Sequence, residues 1–148
     1  MHLLSQRDPI WSDTHVKGTS LTIGRIGCVI TSIAMLSARF GAHLNPLEVN
    51  ASCEFTPEGK IIWKSCKFWR FEFVAREYFR SDENIRAALA DQSRGVILEV
   101  ANKSHWVLAV GRVWFTSHYW IYDPWDGWLK TTMSYGGSIT GAAHFRKK

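Results

Sequence analysis

The chain has 148 residues, 46% of them apolar and 21% charged. That suits one globular domain over residues 1–148 and excludes a disordered chain. A net charge of +5 favours anionic partners, but the basic residues are scattered apart from the Arg146-Lys147-Lys148 tail. The absence of any Arg-rich helix or nucleic-acid motif argues against specific nucleic-acid binding. Three cysteines without CxxC spacing make neither a disulfide framework nor a zinc knuckle.

Residues 1–27 are rich in turn formers, Pro9, Gly18, Gly24 and Gly27 among them. The stretch Met1–Ile10 is polar and lacks the apolar core of a secretory signal, so synthesis in the cytoplasm is expected. No apolar run is long enough to span a bilayer. From Cys28 to Phe40, Val29, Ile30, Ile33, Ala34, Leu36 and Phe40 recur at helical spacing, and Gly41 ends the run. A short helix is expected after Asn45-Pro46, since Pro suits a first turn, and another over Lys60–Phe68. FEFVAREY, from Phe71 to Tyr78, alternates as a strand. Ser81 then caps a helix running to about Asp91, with acids in its first turn. Strands are expected at Gly95–Val100, His105–Trp114, Tyr119–Tyr122 and Ala143–Arg146. Helices first and an antiparallel sheet afterwards define an α+β fold. Eight Trp supply buried rings for the core, or the walls of a groove.

Four residues stand out chemically. Cys28 opens the apolar helix, where the positive end of the dipole favours thiolate, the nucleophilic form. A buried core cysteine is the plain alternative. His105 begins a strand, where its ring can face a cleft or simply solvent. Asp123 ends another strand, just before Pro124. If those two strands pair as a hairpin, His105 and Asp123 meet at one end of the sheet, and a carboxylate there can fix the imidazole tautomer. Asp126, in the same Asp-Pro-Trp-Asp-Gly run, is the rival acid; Asp123 is preferred because it ends the strand. Gln6 carries a side-chain N–H that can donate to an oxyanion, although its position alone favours a solvated residue. Trp125 and Trp128 either wall a groove or pack a turn. Trp106 is expected on the face opposite His105. Cys53 and Cys66 read as buried thiols, since a zinc site made from them and His43 has no supporting spacing.

Taken together, Ser5-Gln6-Arg7-Asp8, the stretch Gly24-Arg25-Ile26-Gly27-Cys28-Val29-Ile30-Thr31-Ser32-Ile33-Ala34-Met35, His105-Trp106-Val107 and Asp123-Pro124-Trp125 resemble the stand-alone branch of the bacteriocin-leader-processing (double-glycine) peptidases. These belong to the papain-like cysteine peptidases. The likeness runs from residue 4 to about 125 in the family's order of Gln, Cys, His and Asp. It implies a papain-like fold whose helical N-terminal part, with Cys at a helix N-terminus, packs on a C-terminal antiparallel β-sheet. It also implies roles: Cys28 attacks the carbonyl, His105 is base and acid, Asp123 orients His105, and Gln6 completes the oxyanion hole. No cofactor or metal is implied. Family members fused to exporting transporters hold the Gln nearer the Cys than residues 7–27 allow here.

The expected activity is amide hydrolysis, or acyl transfer to an amine by the same residues. The substrate class is a leader peptide, another protein or a peptidoglycan stem peptide. A basic chain without a secretory signal suits a phage-borne or envelope-directed peptidase, assembled with other virion or envelope proteins. The alternative is a catalytically silent peptidase-like module for binding or virion assembly.

Overall fold

The computed structural model describes residues 3–148. Its first regular piece is a single turn, α1 (Ile23–Ile26), joined through Gly27 to the central helix α2 (Cys28–Ser37). A Cβ on Gly27 would lie 2.5 Å from the Ile23 carbonyl oxygen and 2.6 Å from its side chain, so only glycine lets the chain turn this tightly into Cys28. Beyond α2 the chain tightens into a 3₁₀ turn, Ala38–Phe40, and stops at Gly41 in the left-handed region (φ 75°). The expected helix Cys28–Phe40 therefore ends in a different winding. Helix α3 (Pro46–Ser52) starts where the Pro pointed. Asn45 caps it reciprocally, accepting from the Glu48 N–H while Glu48 accepts from the Asn45 N–H.

The helix expected over Lys60–Phe68 does not form. Ile61 bridges to Phe55, Trp63–Ser65 makes one 3₁₀ turn, and Lys67 bridges to Glu72. Ser65 explains part of the break: its hydroxyl donates to the Ile62 carbonyl and accepts from the Glu54 N–H, offering the backbone a turn instead of a helix.

Six strands then form one antiparallel sheet: β1 (Phe71–Glu77), β2 (Arg94–Val100), β3 (His105–Arg112), β4 (Tyr119–Asp123), β5 (Trp128–Thr131) and β6 (Gly141–Lys147). Their spatial order is β1-β6-β2-β3-β4-β5. Helix α4 (Asp82–Ala90), capped by the Ser81 hydroxyl, lies between β1 and β2 in sequence. Neither periodicity nor capping predicts α1, β5 or the 3₁₀ turn Thr132–Tyr135 that follows β5.

The sheet divides the core in two. One face carries Ile97, Trp106, Leu108, Ala143 and Phe145 against α2 and the segments before it. The other carries Val96, Leu98, Val107, Tyr119 and Ile121 against Ile85 and Ala88 of α4. The expected α+β layout is present, with a helical N-terminal part on an antiparallel sheet, and α4 adds a second cover on the far face. Trp106 takes the face opposite His105, as the alternation of β3 requires. Gly27→Ala should lower stability by about 1–3 kcal/mol in urea denaturation, because the added methyl meets backbone that cannot move aside alone.

Candidate active site

Strands β3 and β4 pair as a hairpin with Leu108 opposite Tyr122. Counting from that pair, His105 and Asp123 share a face at the same end of the sheet. His105 Nε2 lies 2.8 Å from Asp123 Oδ1, which leaves Nδ1 as the nitrogen free for another partner. Cys28, the first residue of α2, is the other group that acts on the imidazole. The three residues thus come from the start of a helix, the start of a strand and the end of the neighbouring strand. The turn that delivers His105 is unusual: Ala101, Asn102 and Lys103 all adopt positive φ (53°, 52° and 70°), a left-handed run that costs non-glycine residues conformational energy.

Asp123 is fully buried. Its Oδ1 accepts from His105 and from the Trp125 N–H at 3.0 Å. Its Oδ2 accepts from Lys130 Nζ at 2.8 Å and from the Tyr135 hydroxyl. Lys130 also bridges to Asp126 Oδ2 at 2.8 Å. Lys130 therefore pairs with both acids, and of the two it is Asp123 that contacts the histidine. Burial opposes a charge on Asp123, but hydrogen bonds from His105, Lys130 and Tyr135 outweigh it and hold the carboxyl well below the usual carboxylate range. Burial likewise disfavours imidazolium, yet the hydrogen bond with Asp123 and the neighbouring Cys28 push His105 up to about 9. The tyrosine hydroxyl goes the other way: burial and the adjacent carboxylate raise Tyr135 beyond its ordinary range and keep it a donor.

Gln6 is buried rather than solvated. Its backbone N–H donates to the Pro124 carbonyl at 2.6 Å, tying the N-terminal segment to the residue after Asp123. Its side-chain Nε2 donates to the Gly24 carbonyl at 3.2 Å, one helical turn ahead of Cys28. The second N–H of that amide remains for another acceptor. Ser5 Oγ and Arg7 Nε both donate to the Trp125 carbonyl, and the Arg7 guanidinium stacks 4.5 Å over the Trp125 ring. Trp125 is a turn-packing aromatic.

Cys28 opens onto a cleft of about 770 Å³. Ile26 and Val29 line its helical side, Phe55, Ile61 and Trp63 the loop side, and Ser104 and Trp106 the sheet side. Trp125 and Trp128 are not among its walls. Trp63 packs on Trp106 (ring centroids 5.2 Å apart) and on Phe73 (5.5 Å). Arg76 sits in the same cleft, 4.2 Å from the Tyr78 ring and 4.7 Å from the Trp106 ring, and is paired with Glu99 at 3.0 Å. A groove with one polar end and aromatic walls is suited to an extended chain of mixed side chains.

The other two cysteines face each other in the core, Cys53 Sγ 3.6 Å from Cys66 Sγ, both fully buried. The contact with Cys53 and burial push the Cys66 thiol far up. No group of three or more His, Cys, Asp or Glu among the described residues is arranged to hold a metal ion. No helix among them is long and apolar enough to cross a membrane.

No protein-family model matches the chain, and no curated protein matches it by sequence. Among solved structures, it resembles a double-glycine-motif protease from an AMS/PCAT transporter, crystallised in complex with the leader peptide. The TM-score is 0.56 and the identity 18%, over 82% of this chain and 84% of that one. The two share a fold, so the chain has the papain-like α+β architecture expected from the sequence.

The linked ionisations set the dependence of stability on pH. His105 is raised above its ordinary 6.5, so its contribution is complete below 6.5 and lost as pH rises through about 9. Asp123 is depressed, so its contribution is present above the ordinary 3.8 and lost as pH falls toward its folded value. The stability difference between wild type and His105→Ala in urea should therefore be largest near about pH 5 and narrow by roughly 2–3 kcal/mol near about pH 10.

Proposed function

We propose that the protein is a cysteine peptidase that hydrolyses an amide bond with Cys28, His105, Asp123 and Gln6. The observation that carries this reading is the contact of His105 Nε2 with buried Asp123, together with Cys28, which acts on the same ring and lines a cleft. Cys28 Sγ attacks the substrate carbonyl carbon as thiolate, with His105 as imidazolium. The tetrahedral oxyanion accepts from the Cys28 N–H at the start of α2 and from the Gln6 amide. Collapse breaks the C–N bond as His105 gives its proton to the departing amine, leaving a thioester. Water then attacks, His105 takes its proton, and the carboxylate product leaves with Cys28 restored. Asp123 keeps the imidazole in the tautomer that presents Nδ1 to sulfur.

A peptide substrate fits the cleft and follows the structural neighbour, whose crystals hold a leader peptide. Within that class the proposed targets are a leader peptide, a protein or a peptidoglycan stem peptide. The net charge of +5 supports the anionic envelope, and with it a phage-borne or envelope-delivered peptidase working beside other virion or envelope proteins.

Cleavage of peptide libraries or purified sacculi, read by mass spectrometry of new ends, tests the reading. Cys28→Ala should reduce it by about a thousandfold or more, and equal cleavage by wild type and variant would refute it. Gln6→Ala should cost roughly 10²–10³-fold in kcat while Cys28 still alkylates. Iodoacetamide should label Cys28 and leave Cys53 and Cys66 unmodified in the folded protein. Its rate at Cys28 near neutral pH should exceed that of a free model thiol, because the thiolate is the form that alkylates. A Cys28 that alkylates no faster than a free model thiol would instead favour the silent binding module.

A further inference from the structure

The Cys-His-Asp arrangement leaves two side chains unaccounted for. Lys130 and Tyr135 both donate to Asp123 Oδ2, the oxygen that His105 does not use. Neither lies on the hairpin that brings His105 and Asp123 together. Lys130 is on β5, where it pairs with Ile121 and so shares the face of Asp123; Tyr135 is in the 3₁₀ turn that follows. The Tyr135 ring also stands against the His105 ring, with centroids 5.4 Å apart.

We propose that Lys130 and Tyr135 are positioning residues for the Cys28–His105 pair, which hold Asp123 Oδ2 so that Oδ1 alone meets the imidazole. This rests on reading Cys28 and His105 as the reactive pair. The geometry gives each donor a different task. Asp123 is fully buried, and a carboxylate with one oxygen unpaired would rotate to share its charge between the available donors. Two donors on Oδ2 and two on Oδ1, His105 and the Trp125 N–H, fix the plane of the carboxylate. Tyr135 does so without adding charge. Lys130 adds a cation, so the carboxylate attracts the imidazolium less than an isolated one would. The charged and titratable groups around the imidazole are Cys28 from α2, Asp123 from β4, Asp126 from the turn, Lys130 from β5 and Tyr135 from the 3₁₀ turn. Of these, Lys130 is the one cation. It opposes protonation of His105, while burial and its two carboxylate partners decide its own charge: burial disfavours the ammonium, and Asp123 and Asp126 outweigh burial and raise its pKa.

The proposal gives a signed expectation. Replacing Lys130 by a neutral residue leaves both Asp123 and Asp126 uncompensated, so the His105 ring should titrate at higher pH. Asp123 should at the same time lose its fixed plane. The ring carbon resonances of His105 in Lys130→Met should show a midpoint higher by about half a pH unit or more. Lys130→Gln, which keeps a donor without the charge, should move it the same way, and Lys130→Arg should restore the wild-type value. Tyr135→Phe leaves the charges alone and should slow Cys28 alkylation near neutral pH by about tenfold, through looser placement of the ring.

These measurements need no substrate, so they separate this proposal from the peptidase reading. A wild type that cleaves nothing would remove the latter while the His105 titration still reports on Lys130. If Lys130→Met does not fold, the Gln and Arg variants decide by the same titration. An unchanged or lowered midpoint in the neutral variants, or an unaltered alkylation rate in Tyr135→Phe, would overturn the positioning role.

Discussion

The structure depends on a charge buried where water cannot reach it. A carboxylate at the position of Asp123 would be expelled or neutralised unless protein groups replaced its hydration shell. The fold supplies four donors from four places: the strand of His105, the strand of Lys130, the 3₁₀ turn of Tyr135 and the backbone at Trp125. Satisfying that one group fixes the end of β4 relative to both its neighbours and places the imidazole beside Cys28. Removing any single donor leaves a buried charge partly unpaired, a kind of loss that in other proteins costs about 3–5 kcal/mol. The same group thus serves stability and, on the proposed reading, chemistry.

The aromatic residues link the core to the cleft. Phe40, Phe68 and Phe71 stack in the interior, at centroid distances of 5.1 Å for Phe40–Phe71 and 4.5 Å for Phe68–Phe71. Phe73 and Phe145 continue the row, and Trp63 and Trp106 bring it to the surface as the wall of the groove. A wall that is the outer end of a packed core is rigid, which lowers the entropy lost when a bound chain orders against it. The many Trp therefore serve as core and groove together.

How much of this the sequence disclosed follows from where each signal resides. Helix α2, the start of α3 at Pro46, α4 and most strands rest on local periodicity, a first-turn Pro or capping, and they were readable. So was the pairing of His105 with Asp123, because a short hairpin converts sequence distance into spatial distance by simple counting. Gln6 was unreadable without the family likeness, because its burial depends on a backbone bond to Pro124 at the far end of the chain. Strand β5 has four residues and a mixed pattern, WLKT, too short to alternate legibly. Lys130 and Tyr135 were hidden behind it, although the Asp126–Lys130 spacing of four was a faint sign that a cation turns back toward the acids. Lys60–Phe68 misled because its apolar residues serve a loop that packs on the core.

The order of strands has a consequence for time rather than for space. The last strand in sequence, β6, is not an edge; it lies between β1 and β2. Until residues 141–147 are available, β1 has no partner in the sheet and β2 lacks one side. The segment carrying Gln6 must likewise wait for Pro124 before its backbone bond can form. A chain emerging from its N-terminus makes Cys28 and the helix behind it early, but can surround them only after residues 105–135 have been made. Long-range closures of this kind slow folding. They also mean that the thiol is made well before His105 and Asp123, so the site is assembled from segments distant in sequence.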